Sequence, residues 1–181
     1  YRFFKSNGMH LFKIERINTH GGSIRGYAKI ASSSSYEDES IKDLISLEEK
    51  LGINKKQTLI DYSEKINNLK LNLNKILYSF KSKGKKIGAF GAPAKATTLM
   101  YQFGLDKSLI DFIIDDSPLK QGLFSPGLHI PVLSSDAIIT EKPDYLLLLA
   151  WNFSDSIINK NKEYLESGGH FIVPLPKVKI I

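Results

Sequence analysis

Short apolar runs alternate with amphipathic stretches through the second half of this chain. The runs predict strands over residues 86–90, 110–115, 130–133, 145–150 and 170–173, and the stretches between them predict helices over 94–103, 135–140 and 154–166. Leu146-Leu147-Leu148-Leu149-Ala150 is apolar without a break, the pattern of a central parallel strand covered on both faces. Strand–helix alternation of this kind predicts a three-layer α/β sandwich with a mostly parallel sheet.

The first half is patterned differently. Residues 11–17 and 23–30 alternate with period two around the turn Asn18-Thr19-His20-Gly21-Gly22, which predicts a β-ribbon. Tyr1-Arg2-Phe3-Phe4 reads as the end of a helix. Ile41, Leu44, Ile45, Leu47 and Leu51 mark one face of a helix over 36–51, which Gly52 stops. Leu59, Tyr62, Ile66, Leu69, Leu73, Ile76, Leu77 and Phe80 recur at three- and four-residue steps and predict a packing helix over 58–80, ended by Gly84. Ser32-Ser33-Ser34-Ser35 reads as a linker or cap. The plan is a ribbon at 1–31, a helical connector at 32–83 and an α/β domain at 84–181. A two-stranded ribbon buries too little surface to stand alone, so the reading expects it to be the edge of an upstream domain in a longer chain.

Composition narrows the class. The 181 residues include no cysteine, which excludes disulfides and thiolate metal sites, and the four histidines are scattered without ligand spacing. No run reaches the ~20 apolar residues of a membrane span, and no signal peptide opens the chain, so a soluble cytoplasmic protein with no membrane partner is expected. The net charge of +6 is carried almost wholly by lysine; Arg2, Arg16 and Arg25 are the arginines. Lysines spread over helices lack the arginine-rich stripe of a nucleic-acid binder, so nucleic acid is not expected as a partner.

Candidate chemistry lies past the strand ends, where parallel sheets bind ligands. Gly88-Ala89-Phe90-Gly91-Ala92-Pro93-Ala94-Lys95 reads as a strand, a glycine turn and a helix start, with Pro93 at the first helical position. Backbone amides and the positive end of a helix dipole then face a bound phosphate, and Lys95 lies within reach of it. The same residues also suit a tight turn with no ligand. The loop lacks the third glycine of a dinucleotide fingerprint and the Gly-Lys-Ser/Thr of a P-loop. Asp115 ends the second strand, where an acid accepts ribose hydroxyls or, equally, makes an Asx turn with Ser117. Ser125-Pro126-Gly127 is a turn, either inert or in contact with ligand. Trp151-Asn152 sits where an aromatic ring and an amide meet a base or sugar, or where the ring packs into the core. On the ribbon, His20 beside Gly21 and Gly22 is a candidate ligand contact, with Arg25 available to pair an anion.

Six blocks together resemble the C-terminal domain of sugar C-methyltransferases. They are Ile14-Glu15-Arg16-Ile17-Asn18-Thr19-His20-Gly21-Gly22-Ser23-Ile24-Arg25, Gly88-Ala89-Phe90-Gly91-Ala92-Pro93-Ala94-Lys95, Ile114-Asp115-Asp116-Ser117-Pro118-Leu119-Lys120-Gln121-Gly122, Pro126-Gly127-Leu128-His129-Ile130-Pro131, Leu147-Leu148-Leu149-Ala150-Trp151-Asn152-Phe153 and Gly168-Gly169-His170-Phe171-Ile172-Val173-Pro174. Ala96 stands where glycine is common in the family's pattern. The resemblance implies S-adenosylmethionine-dependent methylation of a ring carbon of a nucleotide-linked keto-deoxysugar. It implies zinc and the methyl donor held by upstream domains, and a Rossmann-like C-terminal domain that holds much of a thymidine-linked sugar diphosphate. The family's proton-abstracting tyrosine and glutamate–histidine residues have no counterpart here, so no catalytic residue and no cofactor is assigned to this chain, which alone is expected to be inactive.

The substrate-contact set nominated from these blocks is His20, Gly21, Gly22, Ser23 and Arg25 on the ribbon and Gly88, Phe90, Gly91, Ala92 and Lys95 on the glycine loop. Asp115, Ser117, Lys120 and Gln121 follow the second strand, and Trp151 and Asn152 follow the fourth. Two other functions fit the same residues: an NAD(P)-binding oxidoreductase domain, and a non-enzymatic Rossmann module that senses a nucleotide.

Overall fold

The computed structural model describes residues 1–32 and 36–181. Ser33, Ser34 and Ser35 of the expected linker lie outside the described residues. The chain divides into two compact units, Tyr1–Ser63 and Glu64–Ile181.

The first unit opens with α1 (Arg2–Ser6) and an antiparallel ribbon of β1 (Met9–Ile17) and β2 (Ser23–Ile30), joined by a 3-10 turn at Thr19–Gly21. The register breaks between Leu11 and Lys13, so that Phe12 bulges. The carbonyl of Phe12 accepts the Asp38 N–H at 2.8 Å, and the Ile14 N–H donates to Ser40 Oγ at 3.0 Å. These bonds fasten α2 (Glu39–Leu51) to β1. Periodicity predicted a start at Tyr36. The helix instead begins at Glu39 because Asp38 caps it, its Oδ1 accepting the Ser40 N–H at 2.9 Å. Leu11 and Ile41 are the buried apolar side chains among the described residues of this unit.

Helix α3 (Lys56–Lys81) begins in the first unit and continues into the second. The 32–83 connector is therefore shared between the two units. The second unit then alternates β3 (Ile87–Phe90), α4 (Ala94–Phe103), β4 (Ile113–Ile114), β5 (Val132–Leu133), α5 (Ala137–Glu141), β6 (Tyr145–Leu148), α6 (Ser154–Lys160), α7 (Lys162–Glu166), β7 (His170–Val173) and β8 (Lys179–Ile180). A single helix predicted over 154–166 is two. The side-chain amide of Asn161 donates to the Ile157 carbonyl at 2.7 Å and interrupts the ladder. β8 escaped the periodicity because a two-residue strand has no measurable period.

The sheet runs β5–β4–β3–β6–β7–β8, with β3 to β7 parallel and β8 antiparallel. Successive side chains point to opposite faces. Ile87, Ala89, Ile113, Leu147 and Ile172 pack on Leu73 and Leu77 of α3 and on Leu99, Met100 and Phe103 of α4. Phe90, Ile114, Leu146, Leu148 and Phe171 pack on the other face with Ala137 of α5 and Tyr164 of α7. This is the expected three-layer, Rossmann-like sandwich. Counted from β3, its strand order is that of doubly wound nucleotide-binding sheets, with the winding direction reversing between β3 and β6.

At the N-terminal edge, Asp111 and Asp144 accept the backbone N–H groups of Ile87 and Lys86 and pair with Lys81 and Lys85. That edge is closed by its own charges. At the C-terminal edge the winding reverses between β3 and β6, the switch point at which sheets of this order form a ligand crevice. No helix among the described residues is long and apolar enough to cross a membrane.

The crevice depends on Gly91. Its φ is +90°, and a Cβ there would stand 2.6 Å from the Ala150 Cβ. Left-handed strain and overpacking together set the expected cost of Gly91→Ala at about 2–5 kcal/mol. Gly104→Ala, at φ +69° with open space around it, is expected to cost only about 1–2 kcal/mol. Denaturant unfolding of the two variants measures the difference.

Candidate functional site

β3 ends at Phe90, and the chain turns at Gly91 into α4. The Gly91 N–H donates to the Ile114 carbonyl at 2.7 Å, and the Ala92 N–H donates to Asp115 Oδ2 at 2.6 Å. These amides are spent within the protein. Pro93, expected at the first helical position, sits one residue earlier as the cap, with extended backbone and no N–H. Ala94 begins the helix because the pyrrolidine ring sets the entry angle. The Ala96 N–H folds back to the Pro93 carbonyl at 2.8 Å. That leaves the Ala94 and Lys95 N–H groups without an acceptor among the described residues. The first turn of α4 carries no acidic side chain and no side-chain cap. Two free donors and the positive end of a ten-residue helix therefore face the crevice, an arrangement suited to an anion.

Two nominated residues lie inside the sheet rather than on this rim. Gly88 is buried in β3, where a Cβ would approach the Phe112 ring to 2.8 Å, so its small size serves packing. The Phe90 ring is 5% exposed and belongs to the core beneath the loop.

Asp115 is the hub of the next group. Its Oδ2 accepts the Ala92 N–H and, at 3.1 Å, the Lys120 ammonium; its Oδ1 accepts the Ser117 N–H at 2.9 Å. Gln121 donates from Nε2 to the Asp115 carbonyl at 3.0 Å. The residue is only 8% exposed. Burial opposes its charge, but the amides of Ala92 and Ser117 and the Lys120 ammonium outweigh burial and hold the carboxyl below its ordinary value. The Asx turn with Ser117 is present, and three of the carboxylate's roughly four acceptor positions are filled from within the chain.

Across the crevice, Trp151 and Asn152 occupy a 3-10 turn between β6 and α6. Trp151 packs against both core layers, at the line where they part. The Lys95 ammonium lies 4.2 Å from the centre of the Trp151 ring and donates to Asn152 Oδ1. No carboxylate pairs with it among the described residues. Burial alone lowers the pKa of Lys95 below the ordinary lysine value. The structure thus brings together Gly91, Ala92, Lys95, Asp115, Ser117, Lys120, Gln121, Trp151 and Asn152 around one crevice.

The remaining nominated residues belong to the first unit. Gly21 and Gly22 shape the ribbon turn at positive φ, and the Ser23 hydroxyl donates to the Thr19 carbonyl at 3.0 Å. Arg25 is exposed and stands 4.0 Å from Glu15, its partner across the ribbon. The side chain of His20 lies outside the described residues.

A cavity of about 200 Å³ adjoins the loop, lined by Ala92, Pro93, Ala96, Thr97 and Met100 on one side and by residues 123–126 on the other. Sequence reasoning singled out Ser125 only as part of a turn and missed Thr97, because the two walls come from distant segments. No group of three or more His, Cys, Asp or Glu side chains converges on a metal position among the described residues.

Comparison with known proteins bears on this geometry. The sequence profile of the C-methyltransferase C-terminal domain matches residues 18–176. The chain is 33% identical over 178 residues to the C-methyltransferase NovU of Streptomyces niveus. The match covers 98% of this chain and 42% of that relative, so the chain spans about two-fifths of the relative's length.

Asp115→Asn removes the charge that receives Ala92, Ser117 and Lys120. The expected loss of stability at neutral pH is about 1–3 kcal/mol by urea denaturation, the cost of a buried donor left unpaired. Because the folded pKa is lowered, the contribution of Asp115 is present above the ordinary carboxylate range and fades as pH falls through the folded value. The gap between the two proteins should therefore narrow below about pH 4.

Proposed function

This chain belongs to the family of C-methyltransferase C-terminal domains, and from that premise we propose that it holds the nucleotide-sugar substrate of an S-adenosylmethionine-dependent sugar C-methyltransferase. The single observation that carries the reading is the pair of free amides at Ala94 and Lys95, beside an ammonium with no carboxylate partner, at the crevice where the sheet reverses its winding. A diphosphate is the anion that such a site suits. Trp151 and Asn152 then face the sugar side. The proposed nucleotide is thymidine-linked, in keeping with the family resemblance of the six sequence blocks.

The reaction follows from the chemistry of a keto-sugar. Removal of the proton alpha to the ketone by a base outside this chain would give an enolate, whose carbon would take the methyl group as the donor's carbon–sulfur bond breaks and a neutral thioether leaves. S-Adenosylmethionine supplies that methyl as an electrophile on a sulfonium. A sulfonium is a cation, and the α4 rim presents N–H donors, a positive dipole end and Lys95. Neither base nor donor site is assigned to this chain. Its residues bind and orient the sugar. Correct placement of a bound reactant is worth several orders of magnitude in rate.

The oxidoreductase reading is weaker. It needs the acid after β4 to accept ribose hydroxyls, and Asp115 is buried and already holds Ala92, Ser117 and Lys120.

Lys95→Ala is expected to weaken thymidine diphosphate binding by ~1.5–3 kcal/mol, about 10- to 150-fold, the range for a hydrogen bond to a charged group. Calorimetric titration measures it, and an unchanged affinity assigns Lys95 to the surface. The 181-residue chain mixed with S-adenosylmethionine and a keto-deoxysugar nucleotide is expected to form no methylated product by mass spectrometry.

A further inference from the structure

We infer that Asn152 donates to the ketone oxygen of the sugar and polarises that carbonyl, with Lys95 fixing the orientation of its amide. This inference rests on the reading that the diphosphate lies at the α4 N-terminus. It gives this chain a residue that acts on the reacting group rather than on the nucleotide.

The orientation follows from donor chemistry. An ammonium can donate three hydrogen bonds and accept none. The Lys95 ammonium meets the Asn152 amide, so the atom it meets is the oxygen, Oδ1, and the other atom of the group is the nitrogen. The hydrogens on Nδ2 have no acceptor among the described residues. The neighbouring Trp151 indole N–H, which can only donate, has none either. Trp151 and Asn152 are consecutive in the 3-10 turn after β6, and both are half-buried. Lys95, Trp151 and Asn152 together carry one side-chain oxygen, and Lys95 occupies it.

Such a set selects an oxygen that bears no proton. A ketone accepts through its lone pairs and brings no hydrogen of its own. A hydroxyl or an ammonium in the same place brings a proton that these three side chains cannot accept. Diphosphate oxygens share the ketone's chemistry, but the free Ala94 and Lys95 N–H groups on the opposite wall already suit them.

The cation behind the amide strengthens it. Electron density drawn toward Oδ1 by the ammonium makes the Nδ2 hydrogens better donors, as in any chain of linked hydrogen bonds. A donor on the ketone oxygen withdraws density from the carbonyl carbon and makes the proton on the adjacent carbon more acidic. When a base outside this chain takes that proton, the C–H electron pair becomes the new C=C bond and the carbonyl π pair moves to oxygen. Asn152 then meets a negative charge instead of a dipole. The contact is stronger in the enolate than in the ketone, and such a difference lowers the barrier.

The test combines carbon-13 NMR and calorimetric titration of the chain with two probes: thymidine diphosphate, and a thymidine diphosphate keto-deoxysugar labelled at the ketone carbon. Binding is expected to move the ketone resonance downfield, the signature of a polarised carbonyl. The keto-sugar nucleotide is expected to bind about two- to tenfold tighter than thymidine diphosphate, the gain of one hydrogen bond. Asn152→Leu keeps the size of the side chain and removes the donors. Asn152→Asp keeps the contact to Lys95 and puts an acceptor where the donors were. Each variant should return the bound resonance to its free position and remove the preference over thymidine diphosphate. A bound ketone whose resonance does not move, or one that moves equally in both variants, overturns the inference and leaves the diphosphate reading standing. So does a loss of thymidine diphosphate affinity as large as the loss for the keto-sugar nucleotide, which assigns Asn152 to the phosphates. If neither probe binds, the diphosphate reading fails and this inference fails with it.

Discussion

One buried carboxylate shapes the functional end of this fold. Asp115 closes β4 and reaches across to the turn that leaves β3, where it takes the Ala92 N–H at 2.6 Å. The same carboxylate gathers Ser117 and Lys120. Two loops from neighbouring strands thereby become one rigid rim. In doubly wound folds an acid at this position often faces a ribose. Here it is turned inward. The rim keeps its shape through an internal ion rather than a bound cofactor, and its outward-facing donors shift along the chain to Ala94 and Lys95.

The rest of the crevice follows from that arrangement. Gly91 brings the turn against Ala150, so β3 and β6 part only beyond their last paired residues. Pro93 caps α4 without supplying a side-chain acceptor, so the helix dipole is left unanswered. Trp151 fills the gap where the two core layers diverge, and its ring carries the Lys95 ammonium. Each feature leaves positive charge at the rim and none of them neutralises it. The N-terminal edge is built the opposite way, with Asp111 and Asp144 meeting Lys81 and Lys85. Charge is internally balanced where the sheet needs only stability and left unbalanced where a ligand is proposed.

Much of the fold was legible because it rests on periodicity. The apolar stripe predicted from Leu59 to Phe80 is packed from Ile66 onward, whereas Leu59 and Tyr62 at its start are exposed; the unbroken run from Leu146 to Ala150 and the strand–helix alternation follow from burial. Element ends were less legible because single side chains decide them: Asp38 delays α2 and Asn161 divides α6 from α7. The site was half legible. Glycine, proline and lysine after a strand point to a turn at a helix start. Which amides remain free depends on Asp115, 23 residues from Ala92, and no local pattern reports that bond. Gly88 and Phe90 drew attention for the same motif, yet their neighbours across the sheet explain them as packing. The cavity was invisible for a related reason: Thr97 and Ser125 line one space only once α4 folds against the turn after β4.

The central claim is that an anion sits on the free amides at the start of α4. The most direct measurement is amide chemical-shift mapping of the isotope-labelled chain under titration with thymidine diphosphate. The account predicts saturable shifts largest at Ala94 and Lys95, with the Gly91 and Ala92 amides moving little because they stay bonded to Ile114 and Asp115. Unmoved Ala94 and Lys95 amides at saturation, with the shifts scattered over surface lysines, would contradict it.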